Sequence, residues 1–101
     1  MRITPEAVKA ILAATRELAG EDASVRLFGS RLNDGLRGGD IDLLVECAVP
    51  VARPVWLAAQ ITARLQRVLG DRKIDVLVAC PGLTDPPIHR VARAEGLVLK
   101  A

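Results

Sequence analysis

Residues 40–46 alternate acidic and aliphatic side chains, which is the pattern of a β-strand with two different faces. Asp40, Asp42 and Leu44 share one face, because successive side chains of a strand point to opposite sides. The other face carries Ile41, Leu43 and Val45. The aliphatic face needs apolar cover, whereas the acids need access to solvent or to a cation. This strand therefore predicts a layered fold whose sheet is covered mainly on one side.

Two amphipathic helices are predicted to supply that cover. The run 4–6, Thr-Pro-Glu, is a typical helix start, and Gly20 predicts where this first helix ends. A second helix follows Pro54 and is expected to end at Gly70. Its predicted apolar stripe consists of Ala58, Ile61, Leu65, Val68 and Leu69.

The remaining segments complete the predicted fold. Strands are expected at 24–28 and 74–78, a short helix after Asp85-Pro86, and an edge strand at 97–99. The resulting order is α-β-β-α-β-α-β, which is typical of a small α/β (α+β) layer structure. We therefore predict one domain over residues 1–101, with a mixed sheet and helices mainly on one face.

The composition limits the functions that such a domain can have. Half of the 101 residues are hydrophobic but only 2% are aromatic, so base-stacking platforms for single-stranded nucleic acid are not expected. A formal charge of +2 is too small to predict direct nucleic-acid binding. No apolar run approaches the ~20 residues of a membrane span, and the first residues lack a signal-peptide pattern. We therefore expect a cytoplasmic protein without a membrane partner.

The two cysteines, Cys47 and Cys80, each follow a predicted strand and lack the spacing of a zinc site. We expect two reduced thiols. A disulfide between them requires that their strands be neighbours, which the sequence leaves open.

Several other residues are expected to be structural rather than catalytic. His89 is expected on the surface of the last helix, and Trp56 as a core or interface anchor. Glu46 lies four residues beyond Asp42, which is too far to share a ligand. Basic residues near the end of the second helix are expected to stabilise its C-terminus: Arg64, Arg67, Arg72 and Lys73.

The acids carry the strongest indication of chemistry. Asp40 and Asp42 point the same way along one strand, with their backbones roughly 6–7 Å apart. Like charges at this range repel each other unless a cation lies between them, and Mg²⁺ accepts such oxygen ligands while keeping exchangeable waters. Asp75, on a later strand, is a third candidate ligand. Three carboxylates can hold the one or two metal ions used in phosphoryl or nucleotidyl transfer.

A phosphate-binding turn is predicted where the first strand ends. Gly29 lets a ligand approach the backbone closely, and the following N–H groups together with the Ser30 hydroxyl can hold a phosphate. Arg31 can add charge-assisted contacts. Each motif is common by itself, but the turn, the acid pair and the third acid together favour a functional site.

These motifs resemble those of the minimal nucleotidyltransferases of the DNA polymerase β superfamily. The similarity is strongest in the runs 27–31, Leu-Phe-Gly-Ser-Arg, and 40–45, Asp-Ile-Asp-Leu-Leu-Val. Residues 73–78 look like the third-acid strand of that family, and 88–99 look like its closing helix and strand. The resemblance therefore covers nearly the whole chain.

The resemblance implies a role for each matching residue. Gly29 and Ser30 would bind the phosphates of the nucleotide, and Asp40 and Asp42 would bind Mg²⁺. Asp75 would help to activate the attacking hydroxyl. Many such small proteins are MntA-like antitoxins that transfer AMP from ATP to a tyrosine of a HEPN-domain toxin. The resemblance thus implies Mg²⁺, ATP and a HEPN toxin as cofactor, substrate and partner.

Other functions stay open at this level. One alternative is a catalytically inactive antitoxin that neutralises its partner by binding alone, and a homo-oligomer is also compatible with the sequence. A phosphohydrolase with a nucleophilic aspartate is disfavoured. In such enzymes the acid pair follows an apolar run, whereas Asp40 and Asp42 open one.

Overall fold

A computed structural model describes residues 4–28, 41–70, 73–82 and 96–99. Four predicted site residues lie outside these ranges: Gly29, Ser30, Arg31 and Asp40. The predicted helix after Asp85-Pro86, together with His89, also lies outside them.

Two helices begin and end where the sequence predicts. α1 spans Pro5–Ala19 and is capped by Thr4, whose side-chain oxygen accepts a hydrogen bond from the Ala7 N–H at 3.1 Å. α2 spans Pro54–Leu69. Each helix is followed by a glycine with positive φ, 105° at Gly20 and 88° at Gly70, where any other residue would be strained.

The strands form a mixed sheet, as predicted. They are β1 (Ser24–Phe28), β2 (Ile41–Glu46), β3 (Ile74–Ala79) and β4 (Leu97–Val98), in the spatial order β3-β2-β1-β4. β1 runs antiparallel to both β2 and β4, whereas β2 and β3 are parallel and are connected through α2. β3 extends one residue beyond the predicted end, and β4 confirms the predicted edge strand.

Both helices lie on the same face of the sheet and cover its aliphatic side chains, as predicted. This helical face of the sheet is defined by Val25, Leu27, Ile41, Leu43, Val45, Ile74 and Val78, all of them buried. The helices contribute Ile11, Leu12, Leu57, Ile61 and Leu65 to the same cluster. The one buried polar residue among the described ranges is Thr15 of α1, whose Oγ1 makes no hydrogen bond there.

The predicted stripe of α2 is wrong at one position. Val68 is 60% exposed, whereas Leu57, absent from the predicted stripe, is buried. Periodicity identifies the inward side of a helix but not how far the facing surface extends along it. Val68 lies in the last turn, where only the half-buried Leu69 still packs against the core.

Candidate functional site

Asp42 and Asp75 are neighbours on the face opposite the helices. β2 and β3 are parallel and in register from Ile41–Ile74 to Glu46–Ala79, so Asp42 pairs with Asp75. Paired residues of adjacent strands have their backbones about 4.8 Å apart and their side chains on the same side. Asp42 is half-buried and Asp75 is exposed. The strand register therefore places a pair of carboxylates, contributed by two strands, side by side at the amino ends of β2 and β3.

The last residue of β1 belongs to the same row of the sheet as the acid pair. Phe28 pairs with Asp42 from the antiparallel side, so Phe28, Asp42 and Asp75 form one row across three strands. Phe28 is also the last residue before Gly29 in the chain. The roles predicted for Gly29, Ser30, Arg31 and Asp40 stay predictions, as do the metal-binding and catalytic roles of Asp42 and Asp75.

The acid-bearing face is more apolar than the sequence indicates. Leu44, expected to share an accessible face with the acids, is fully buried. It forms a second, smaller cluster with Phe28 and Ala79, against which Leu77 packs. Burial of Leu44 requires apolar partners from both neighbouring strands, and alternation within a single strand does not reveal those partners. The carboxylates consequently border a buried apolar cluster on this face.

An ion pair on the same face was missed at the level of sequence. Arg26 Nε lies 2.7 Å from Glu46 Oε1, and both side chains are about one-quarter exposed, 28% and 25%. The signal was available, because Arg26 interrupts the aliphatic run of β1 and Glu46 shares the strand face of Asp42. The pair gives Glu46 a partner of its own, two pleats away from the carboxylates of Asp42 and Asp75.

The donor set of Asp42 and Asp75 fits a divalent cation. Both provide hard oxygen ligands, and the exposure of Asp75 leaves room for water or phosphate oxygens as further ligands. Within the described ranges, no group of three or more candidate ligand residues occurs. The predicted third carboxylate, Asp40, is outside those ranges.

Charged and aromatic residues of the helices lie apart from the acid pair. Arg64 of α2 forms an ion pair with Glu17 of α1, with 2.8 Å between Nη1 and Oε2. The hydrogen bond from Arg64, together with its positive charge, lowers the pKa of the Glu17 carboxyl. Trp56 is 54% exposed, so it does not anchor the core, and its predicted alternative as an interface anchor stays a prediction. The Arg53 guanidinium instead lies over its ring, 5.5 Å from the centroid.

None of the described helices is both long and apolar enough to cross a membrane.

Comparison with known proteins identifies the kind of domain. A family model described as a nucleotidyltransferase domain matches residues 8–95. The matched range includes Asp42, Asp75 and the predicted phosphate-binding turn at 29–31. Among curated proteins, no match to this chain is found.

Proposed function

Because the chain belongs to the nucleotidyltransferase-domain family, we propose that it transfers AMP from ATP to a hydroxyl group of a partner protein. The proposed acceptor is a tyrosine of a cognate HEPN-domain toxin, which would make this chain the antitoxin of the pair. The observation that carries the transfer chemistry is the pairing of Asp42 with Asp75 across β2 and β3. The antitoxin role is supported by the resemblance in the motifs at 27–31 and 40–45.

The proposed reaction is a displacement at the α-phosphorus of ATP. The acceptor oxygen forms a bond to this phosphorus, the bond to the bridging oxygen breaks, and pyrophosphate leaves. The hydroxyl proton passes to a base, and Asp75 is suited to receive it because its side chain is exposed to an incoming acceptor. Bound Mg²⁺ would supply charge neutralisation at the phosphate oxygens, and Asp42, Asp75 and Asp40 would hold it.

Two properties of the chain support an acceptor on another molecule. The 101 residues include no tyrosine, so a tyrosine acceptor has to come from elsewhere. The Asp75 side chain is also exposed, so an acceptor on another molecule can approach it. A partner that covers the acid-bearing face would exclude water and limit hydrolysis of ATP.

The direct test uses the protein encoded by the neighbouring gene. The two purified proteins are mixed with ATP and Mg²⁺, and the products are weighed by intact-mass spectrometry. We expect the partner to gain the mass of one AMP group, and the tandem spectrum to place it on a tyrosine. The gain is expected to disappear with Asp42→Asn.

A matched control distinguishes loss of the carboxylate pair from loss of any charge on this face. Glu46→Gln removes an acid from the same strand and face, but that acid pairs with Arg26 rather than with Asp75. The Glu46→Gln variant is expected to retain AMP transfer. A tight complex without modification would contradict the proposal and favour an antitoxin that acts by binding alone, as would calorimetry that detects no Mg²⁺-dependent ATP binding.

A further inference from the structure

The two cysteines lie beside each other at the carboxyl ends of β2 and β3. The parallel register ends at the pair Glu46–Ala79, and Cys47 and Cys80 are the next residues of the two strands. The Cys47 N–H donates to the Ala79 carbonyl at 2.8 Å, so the pairing continues through Cys47. The condition that the sequence left open is met, because the strands that precede the cysteines are neighbours.

Both thiols also lie on the helical face of the sheet. Cys47 continues the alternation of Ile41, Leu43 and Val45 and is buried in the same cluster, and Cys80 packs against that cluster. Backbones of paired residues on adjacent strands are about 4.8 Å apart. This separation lies within the range of about 4.4–6.8 Å over which a disulfide spans two Cα atoms.

The two thiols differ in accessibility. Cys47 is only 7% exposed, whereas Cys80 is partly exposed. Burial, with a smaller contribution from the neighbouring Cys80, raises the pKa of the Cys47 thiol. Cys80 is therefore the thiol that an external reagent meets first, and Cys47 reacts within the protein.

We propose that Cys47 and Cys80 form a redox-sensitive dithiol that closes to an intrachain disulfide by exchange with a small-molecule disulfide such as oxidised glutathione. The Cys80 thiolate attacks one glutathione sulfur, which forms a mixed disulfide and releases one glutathione. The Cys47 thiolate then attacks the Cys80 sulfur and releases the second glutathione. In total the two protein thiols lose two protons and two electrons, and one oxidised glutathione gains them and becomes two glutathione thiols.

The bond would join the same two strands that carry the acid pair. Asp42 and Asp75 each lie five residues before a cysteine, so the disulfide closes the far end of the strand pair. It also closes a loop that contains α2. Such a cross-link restricts the unfolded chain and stabilises the native strand pairing. This inference depends on the fold and not on the proposed transfer reaction, so either can fail without the other.

The test measures the thiol–disulfide equilibrium of the full chain with reduced and oxidised glutathione. Free thiols are trapped with N-ethylmaleimide and counted by intact mass, and peptide mapping identifies the bridge. We expect the native protein to take up no label once oxidised, with Cys47 linked to Cys80. The equilibrium constant for closure is expected to be at least about 100-fold larger in the native protein than in concentrated urea, because folding holds the sulfurs together.

Single-cysteine variants provide matched controls. Cys47→Ala and Cys80→Ser are expected to stop at one mixed disulfide, and Cys80→Ser is expected to react more slowly than Cys47→Ala. The oxidised wild-type protein is expected to melt about 10 °C higher than the reduced form. The same oxidant is not expected to raise the melting temperature of either single-cysteine variant. Equal closure constants in buffer and urea, cross-links between chains, or two independent glutathione adducts would each overturn the proposal.

Discussion

The two faces of the sheet are built from the same strands but have different roles. On the helical face, Ile41, Leu43 and Val45 are fully buried beneath α1 and α2. On the opposite face, β2 carries Asp42 and Glu46, both half-buried, on either side of the buried Leu44. In β2, one face thus contributes most of the cohesion, and the other carries the acids of the candidate site beside a smaller apolar cluster. A one-residue shift of register would exchange the two faces. Substitutions of adjacent residues should therefore have separable effects on activity and on stability.

The largest expected effect is loss of activity in Asp42→Asn. The substitution preserves shape but replaces a carboxylate of the acid pair, so we expect transfer to fall by at least about 1000-fold. The free energy of unfolding should be unchanged or slightly higher, since a like charge beside Asp75 is removed. Transfer rates and urea midpoints check the two halves of this prediction. Wild-type activity at saturating Mg²⁺ would show that this face is not the site.

The next expected effect is loss of stability in Leu43→Ala, on the other side of the same strand. Leu43 is fully buried, so its truncation should lower the free energy of unfolding by about 3 kcal/mol. The transfer rate per folded molecule should stay within about twofold of wild type, because the side chain points away from the acids. Urea denaturation and transfer assays below the melting temperature test this. A selective loss of transfer in a stable variant would remove the separation between the faces.

Leu44→Ala tests whether the acid-bearing face has a core of its own. Leu44 is also fully buried and packs with Phe28 and Ala79, so we expect a cost of about 2–3 kcal/mol. The measurement is the shift of the urea midpoint at constant m-value. A cost below about 0.5 kcal/mol would mean that this cluster adds little, and that nearly all cohesion comes from the helical face.

A smaller effect is expected at Thr15 of α1, the one buried polar residue among the described ranges. The Thr15 hydroxyl is buried and makes no hydrogen bond within the described ranges. Thr15→Val should therefore raise the free energy of unfolding by about 1 kcal/mol. Thr62→Val is the matched control, because Thr62 Oγ1 already donates to the Ala58 carbonyl at 2.8 Å. The melting temperature should rise in Thr15→Val alone. Equal rises in both variants would contradict the interpretation that the buried Thr15 hydroxyl lacks a hydrogen bond.

The smallest expected effect concerns the outer surface of the helices. Arg64 lowers the pKa of Glu17, so this pair stabilises the fold above the ordinary glutamate pKa. The stabilisation by this pair is lost as the pH falls through the lowered pKa of Glu17. The melting-temperature difference between wild type and Glu17→Gln should therefore shrink on acidification and with added salt. Glu21→Gln, which changes an exposed turn residue, should show no such convergence.

Local signals in the sequence predicted the elements well. The Thr4 cap, Gly20 and Gly70 fix the helix ends through hydrogen bonding and backbone conformation, which depend on a few adjacent residues. The alternation in β2 correctly identified its helical face. These features need no knowledge of distant parts of the chain.

Features that depend on pairing between strands were not predictable in the same way. The burial of Leu44 and the contact of Arg26 with Glu46 follow from which strands are neighbours and in what register. The adjacency of Cys47 and Cys80 has the same origin. Val68 was misassigned to the buried stripe of α2, because an apolar side chain near a helix end is buried only if another surface reaches it.

The position of β3 in the sheet has a consequence for solubility. Among the described strands it lies at one end of the order, and every residue of its sequence, Ile-Asp-Val-Leu-Val-Ala, is apolar except Asp75. Such a strand edge is a template for pairing with another copy of itself. Asp75 is the single charge within the strand, and a charge in this position opposes that pairing. The carboxylate proposed to serve transfer therefore also acts as a gatekeeper against aggregation, which favours an acid at this position even when no nucleotide is bound.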